Sequence, residues 1–203
     1  MKPASTRSNP ASSAPGFVRI IGGAWKRSKL PVPPRPGLRP TPDRVRETLF
    51  NWLGQDLSGL RCLDAFAGSG ALGFEAASRG AARVLLCELD PALVAGLRAN
   101  AERLQADHIE VRRGDALAAL KGAPRSAWDV VFLDPPFGDG GNEALFRQAL
   151  QAAQPLLSAQ GQLYLEAPRA WDDVELAALG LRCRRHGKAG MVHYHLLEPL
   201  LPA

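Results

Sequence analysis

Asp134-Pro135-Pro136-Phe137 follows directly on an apolar run, Trp128–Leu133, and is the stretch of this chain whose residue types could do chemistry together. An exocyclic amine on a nucleobase is a poor nucleophile because its lone pair is delocalised into the ring. Alkylating it needs acceptors that hold both N–H bonds and let nitrogen pyramidalise as the alkyl group arrives. The Asp134 carboxylate and the Pro135 carbonyl could supply those acceptors. Two consecutive prolines would fix the carbonyl's direction, since each locks its own φ and restricts the residue before it. Phe137 offers a ring on which an extruded base can stack. A proline-stiffened turn after a buried strand would read the same in isolation, so the other strand ends have to decide.

The first of these ends carries Asp64-Ala-Phe66-Ala-Gly68-Ser-Gly70-Ala-Leu-Gly73, a G-x-G-x-x-G placed after a strand and opening a helix. Alone it suggests NAD, FAD or a tight turn with no ligand. Asp64 at the strand tip would repel a pyrophosphate and attract the ammonium of S-adenosylmethionine, while the glycines let backbone approach a ligand closely. Glu88 closes the next strand, 18 residues after Gly70, where an acid reaches a ribose diol. Leu89 beside it could pack on adenine, and Asp115, within Gly114-Asp115-Ala116, could accept from the adenine amino group. Three acids at three successive strand tips all lie on the carboxyl edge, where such sheets bind ligands. With the donor carrying its own leaving group, in-line positioning and electrostatics would do most of the catalysis.

The cysteines narrow the reaction. Methylating a pyrimidine carbon usually needs a cysteine nucleophile, and Cys62, Cys87 and Cys183 all fall outside the Asp134 loop. They are too few and scattered for a disulfide framework or a zinc knuckle, and a reducing cytoplasm fits them best. Cys62 and Cys87 lie in strand-like runs, where free cysteine acts as a small hydrophobe. His186, His193 and His195 lack metal-ligand spacing and companion acids, so no metal is expected and sheet or surface positions suit them.

The elements that must position these residues alternate from residue 60 onwards. Strands are expected at Arg61–Ala67, Arg83–Leu89, Ile109–Arg112, Trp128–Leu133 and Gly161–Glu166. Helices are expected from Ala71 to Gly80, after the cap Asp90-Pro91 with apolar face Leu93, Val94, Leu97 and Leu104, and over Asn142–Leu157. That alternation means a doubly wound parallel α/β sheet, Rossmann-like, with helices on both faces. Leu181–His186 and Val192–Leu197 are joined through Gly187-Lys188-Ala189-Gly190, too short for a crossover helix, so they must pair antiparallel. Upstream, Phe17–Ile21 and Trp25–Val32 flank Gly22-Gly23 as a small β-hairpin. Six prolines between Pro31 and Pro42 mark a stiff linker, and Thr41-Pro42 is expected to cap the next helix.

The chain divides on this reading into a disordered Pro/Ser-rich tail (1–16), a basic hairpin and linker (17–42) and one catalytic domain (43–203). Net charge is +5, yet residues 1–50 alone hold ten Lys or Arg against two acids. A basic block before a mildly acidic body reads either as a polyanion-binding arm or as a solvated tail. No apolar run approaches the roughly 18–20 residues that span a bilayer, so no membrane partner is expected. The N-terminus has no apolar stretch like that of a secretory signal.

With these residues assembled, the sequence resembles the class I S-adenosylmethionine-dependent methyltransferases. It resembles more closely the bacterial 16S ribosomal RNA (guanine(966)-N(2))-methyltransferase family, over Val18 to Glu198. The glycine loop and Asp134–Phe137 carry only the wider likeness. The narrower one rests on Arg19-Ile-Ile-Gly-Gly-Ala-Trp-Lys-Arg27, on Arg39-Pro-Thr-Pro-Asp-Arg-Val-Arg-Glu-Thr-Leu-Phe-Asn51 and on the C-terminal hairpin. The resemblance implies a seven-stranded sheet whose last strand is inserted antiparallel. It implies methyl transfer to one guanine N2 of small-subunit ribosomal RNA, and nothing in the sequence demands more than a monomer. Asp64, Phe66, Gly68, Gly70, Glu88, Leu89, Asp115 and Ala116 would hold the cofactor, with Arg39 and Thr41 closing over it. Asp134, Pro135, Pro136 and Phe137 would form the base site, and Arg19, Lys26, Arg27 and Lys29 would grip RNA. The extension before Phe17 has no counterpart in the family pattern. Three rivals remain. A DNA amino-methyltransferase would need a base-reading insertion, for which 203 residues leave no room. A glutamine-methylating enzyme would usually carry asparagine and tyrosine at positions 134 and 137. A non-catalytic assembly factor would have no use for both acceptors.

Overall fold

The computed structural model describes residues 16–35, 38, 40–137 and 142–200. At the N-terminus β1 (Gly16–Arg19) and β2 (Lys29–Val32) pair antiparallel. Trp25–Ser28 belongs to the connection and not to the second strand: Arg27 N–H closes back on the Ile20 carbonyl and Ser28 N–H on Trp25. The inward faces, Val18, Ile20, Leu30 and Val32, share one apolar cluster with Leu49, Phe74 and Leu86. Helix α1 (Asp43–Leu53) follows, stopped by Gly54 in the left-handed region. Thr41 does not cap it. Its hydroxyl is committed elsewhere.

The repeating part runs β3 (Arg61–Asp64), α2 (Ala71–Ser78), β4 (Arg83–Glu88), α3 (Pro91–Arg103), β5 (Ile109–Arg113), α4 (Ala116–Gly122), β6 (Trp128–Leu133), α5 (Glu143–Ala153) and β7 (Leu157–Ala167). Then come α6 (Asp173–Ala177), β8 (Leu181–Ala189) and β9 (Val192–Pro199). Asp90 caps α3 through Oδ1, which accepts the N–H groups of Ala92 and Leu93. The short helices α4 and α6 carry too few apolar positions to announce themselves in the sequence.

Seven strands form one sheet in the order β5-β4-β3-β6-β7-β9-β8. The first five are parallel, and β9 runs antiparallel to both its neighbours. The order in which strands are added reverses between the parallel neighbours β3 and β6, so their carboxyl ends flank the crevice where an open α/β sheet takes a ligand. The final hairpin is longer than its sequence suggests. Gly187, Lys188 and Ala189 all pair within β8, and only Gly190-Met191 turn the corner. No helix among the described residues is long and apolar enough to cross a membrane.

Two buried polar groups hold the outer layers. Glu75, fully buried on α2, accepts from the N–H groups of Ile21 and Gly22, each at 2.8 Å, and pairs with Arg79 and Arg46. Arg46 is itself buried and reaches the Arg19 carbonyl and Asp43. At the other end of the sheet His195 accepts the Trp171 N–H at 3.2 Å and stacks on His186. Burial holds the His195 imidazole down at about 4, helped by the neighbouring His186 and His193.

Because His195 binds its proton less readily in the folded than in the unfolded state, its share of stability is present above pH 6.5. That share is lost as pH falls toward 4. Wild type should therefore lose about 2–3 kcal/mol relative to His195→Phe between pH 7.5 and 4.5. Paired denaturant melts at the two pH values measure it, and parallel losses in both proteins would refute it.

Candidate active site

In the parallel register Asp64 lies beside Phe132, and Phe132 beside Tyr164. Alternation along a strand therefore places Asp64, Asp134 and Glu166 on one sheet face, at the ends of three adjacent strands. Asp64 is 1% exposed. Its Oδ2 accepts the Gly73 N–H at 3.1 Å. Its Oδ1 is buried and lacks a partner of hydrogen-bond geometry, although the Phe66 N–H lies close enough to favour the charged form. Burial pushes this carboxyl up to about 7, the Glu88 and Glu166 charges adding to it. Asp134 is also raised well above the ordinary carboxylate range, first by burial and then by Glu166 and Asp64. Glu166, 4% exposed, is raised by burial against the pull of two hydroxyl donors. The site gathers three carboxyl groups with no ion-pair partner among the described residues.

Around it the glycine loop is set by its own backbone. Gly68 (φ +51°) and Gly70 (φ +78°) adopt the left-handed conformation that opens α2. Glu88 binds the loop to β4: Oε2 accepts the Gly68 N–H and Oε1 the Asp90 N–H, each at 2.8 Å. Each oxygen keeps a further lone pair. Leu89 is 63% exposed beside it, an apolar surface beside a polar tip. Asp115 caps α4 by accepting the Ala118 N–H, with Ala116 buried behind it. Phe66 lies half-buried against the apolar cluster on the other face.

Gly73 needs its missing side chain. A Cβ there would stand 2.1 Å from Leu86 Cδ2 and 3.3 Å from Asp64 Oδ2. Gly73→Ala should cost about 1–3 kcal/mol through overpacking. It would lower Tm by about 2–4 °C per kcal/mol. An unchanged Tm in calorimetry would show that Leu86 simply rotates away.

The Asp134–Phe137 segment leaves β6 with Pro135 buried and Pro136 exposed. The Phe137 ring is half-buried and rests on Phe146 of α5, centroids 6.0 Å apart. Glu166 was not anticipated as a site residue. Its Oε1 accepts from Thr41 Oγ1 at 2.7 Å and from the Tyr164 hydroxyl at 2.9 Å, which is why Thr41 is unavailable as a helix cap. The available signal was an acid ending an apolar run, the same that marks Asp64 and Glu88. The chain between β2 and α1 crosses the carboxyl edge at described points: Arg35 on Asp90, Leu38 over Gly68, Thr41 on Glu166. Arg39, expected to close over the cofactor, lies outside the described residues.

The four basic residues expected to grip RNA are not gathered at this edge. Arg19 is paired with Asp43 at 2.6 Å. Lys29 lies over the Phe17 ring, 4.4 Å from its centroid. Lys26 and Arg27 are exposed, but their loop is hydrogen-bonded to Ser78 at the far end of α2, and Trp25 stacks on His108 just before β5. Both anchors belong to the amino edge. A cleft of about 520 Å³ lined by Trp52, Gly161, Arg182 and Glu198 also opens there and contains none of the expected site residues.

Comparison with known proteins gives a consistent picture. The model of the family described as Conserved hypothetical protein 95 matches residues 18–198. The chain is similar to the ribosomal RNA small subunit methyltransferase D of Escherichia coli, strain K12. It is 52% identical over 133 residues, which cover 64% of this chain and 66%, just under two thirds, of that protein. The protein of the same name from Haemophilus influenzae is 50% identical over 128 residues, covering 62% and 66%. A solved Escherichia coli structure, described provisionally as a methyltransferase, superposes with a TM-score of 0.77 at 36% identity over 91% of this chain and 98% of that one.

Proposed function

The chain belongs to the family described as Conserved hypothetical protein 95, and from that premise we propose that it transfers a methyl group from S-adenosylmethionine to the N2 amine of a guanine in 16S ribosomal RNA. The observation that carries the reading is the cluster of three carboxyls, Asp64, Asp134 and Glu166, on one sheet face at adjacent strand ends, with no ion-pair partner among the described residues. When bound, the cofactor supplies an electrophilic methyl on a positively charged sulfur together with an ammonium group. The buried Oδ1 of Asp64 lacks the partner that such an ammonium would provide. The curated relatives in Escherichia coli and Haemophilus influenzae, named for small-subunit ribosomal RNA methylation, support the substrate class.

The chain's own groups then divide the work. Gly68 and Gly70 open the backbone for close approach, and Glu88 keeps lone pairs for ribose hydroxyls. Leu89 gives adenine an apolar floor, and Asp115 keeps a free oxygen for its amino group. Phe66 and Ala116 pack against the apolar cluster of the opposite sheet face and support the loops that follow β3 and β5, and Thr41 is held beside the site by Glu166. At the base site Asp134 and the Pro135 carbonyl hold the two N–H bonds of the guanine amine. That strips conjugation from the lone pair and aims it in line with the methyl. Pro136 stiffens that carbonyl, and Phe137 receives the base face. Asp134 can take the proton the amine loses, because burial, and after it the Glu166 and Asp64 charges, raise its affinity for one. Lys26 and Arg27, at the amino edge, would hold ribosomal RNA at a distance from the target base. The protein acts on this reading as a monomer without a metal.

Tritium transfer from labelled S-adenosylmethionine tests the proposal, using small subunits from cells lacking the endogenous activity and nucleoside digestion of the product. Label in N2-methylguanosine is the expected result. Label in another nucleoside, or none from a protein that still binds the cofactor, would overturn the guanine-N2 assignment.

A further inference from the structure

On this proposed function the target guanine sits at the carboxyl edge, while the exposed loop cations Lys26 and Arg27 are anchored at the amino edge. Phosphates flanking the target therefore need another partner. The C-terminal hairpin has the right position. Strand β8 is the outer edge of the sheet. It runs parallel to β7, because both are antiparallel to β9, and Lys188 pairs across His193 with Ala167 at the end of β7. The Gly190-Met191 turn thus projects from the catalytic edge, and Met191 is 82% exposed.

Charge along β8 is graded in the same direction. The strand holds Arg182, Arg184, Arg185 and Lys188 and no acid. Toward the amino edge Arg182 and Arg184 share the single Glu198 carboxylate, at 2.8 and 3.4 Å. Toward the carboxyl edge Arg185 and Lys188 are exposed and have no carboxylate partner among the described residues. They straddle the strand. Arg185 shares the face of Leu196 and Tyr164, and Lys188 shares the face of His193 and Ala167. Two unpaired cations on either side of an edge, with an exposed apolar residue at its tip, form a track for a polyanion with unstacked bases.

We propose that the β8–β9 hairpin is the RNA-docking surface of the catalytic edge, Arg185 and Lys188 binding phosphates next to the target nucleotide and Met191 packing on a neighbouring base. This surface rests on the RNA-methyltransferase reading. The competing account is that basic residues on an exposed edge merely block strand pairing between molecules.

The double variant Arg185→Gln/Lys188→Gln separates the two accounts, with Arg182→Gln/Arg184→Gln, the arginines held by Glu198 toward the opposite edge, as the control. Binding of a short, labelled single-stranded RNA of mixed sequence would be followed by anisotropy across a salt series. Wild type should bind with affinity falling as salt rises. The slope of log affinity against log salt should shrink by about 1.4 in the first variant, at about 0.7 per phosphate contact. It should stay within about 0.3 of wild type in the control. A wild-type slope in Arg185→Gln/Lys188→Gln overturns the docking surface and leaves the wider reading standing, the more so if that variant self-associates in sedimentation. Failure of wild type to bind RNA at all overturns both.

Discussion

Replacing Asp134 by alanine is expected to lower kcat for methyl transfer roughly 100- to 10,000-fold, the range for loss of a preorganised acceptor or proton-transfer group. Cofactor affinity should change little. On the proposed function Asp134 is one of the two acceptors at the reacting amine, and without it one N–H bond has no partner and the lone pair stays in the ring. Burial first, and then the Glu166 and Asp64 charges, oppose ionisation of Asp134, so its removal should leave a variant that melts no lower than wild type. Asp134→Asn is the sharper comparison. The amide oxygen still accepts a hydrogen bond, but the group is neutral and cannot take the departing proton. Its rate should lie between wild type and alanine. Single-turnover transfer with calorimetric cofactor binding reads both quantities. Equal rates for the aspartate and asparagine forms would remove the carboxylate's charge from the mechanism.

The second large effect is on stability. Glu75→Ala should cost about 3–5 kcal/mol, because it leaves the buried Arg46 without its interior partner and frees two backbone N–H groups of the N-terminal hairpin. At about 2–4 °C per kcal/mol for a chain of this size, Tm falls by roughly 10 °C. Glu75→Gln keeps one acceptor oxygen, turns the other into an NH2 donor and loses the charge, and should fall between the two. A melting curve for Glu75→Ala within about 2 °C of wild type would show that water or Asp43 compensates Arg46.

Sheet architecture was legible because strand ends and glycines are local features. Trp128–Leu133 forms the strand the apolar run marks, Asp90-Pro91 caps its helix, and the C-terminal hairpin pairs as the short connection requires. The acids at the strand tips were legible for the same reason. What the sequence hid are roles assigned across long separations. Thr41 reads as a helix cap because Thr-Pro before a helix usually is one, yet its hydroxyl goes to Glu166, a partner no local pattern could name. Arg19 reads as a free cation until Asp43 is found beside it. Lys26 and Arg27 are exposed as a basic loop suggests, but which edge of the sheet they occupy depends on packing against Ser78 and His108.

The Thr41–Glu166 bond spans 125 positions, and this separation has a consequence during synthesis. At about 5–20 residues per second, many seconds pass between translation of the segment crossing the carboxyl edge and that of its far anchor. Strand β7 in turn pairs with β9, which is made last but lies inside the finished sheet. A growing chain can therefore carry Asp64, the glycine loop and Asp134 and still lack the bond that fastens this segment over them. On the proposed function cofactor capture would follow the completion of β7 and β9, and a chain cut short by a premature stop before Val192 would leave Glu166 on a strand without its β9 neighbour.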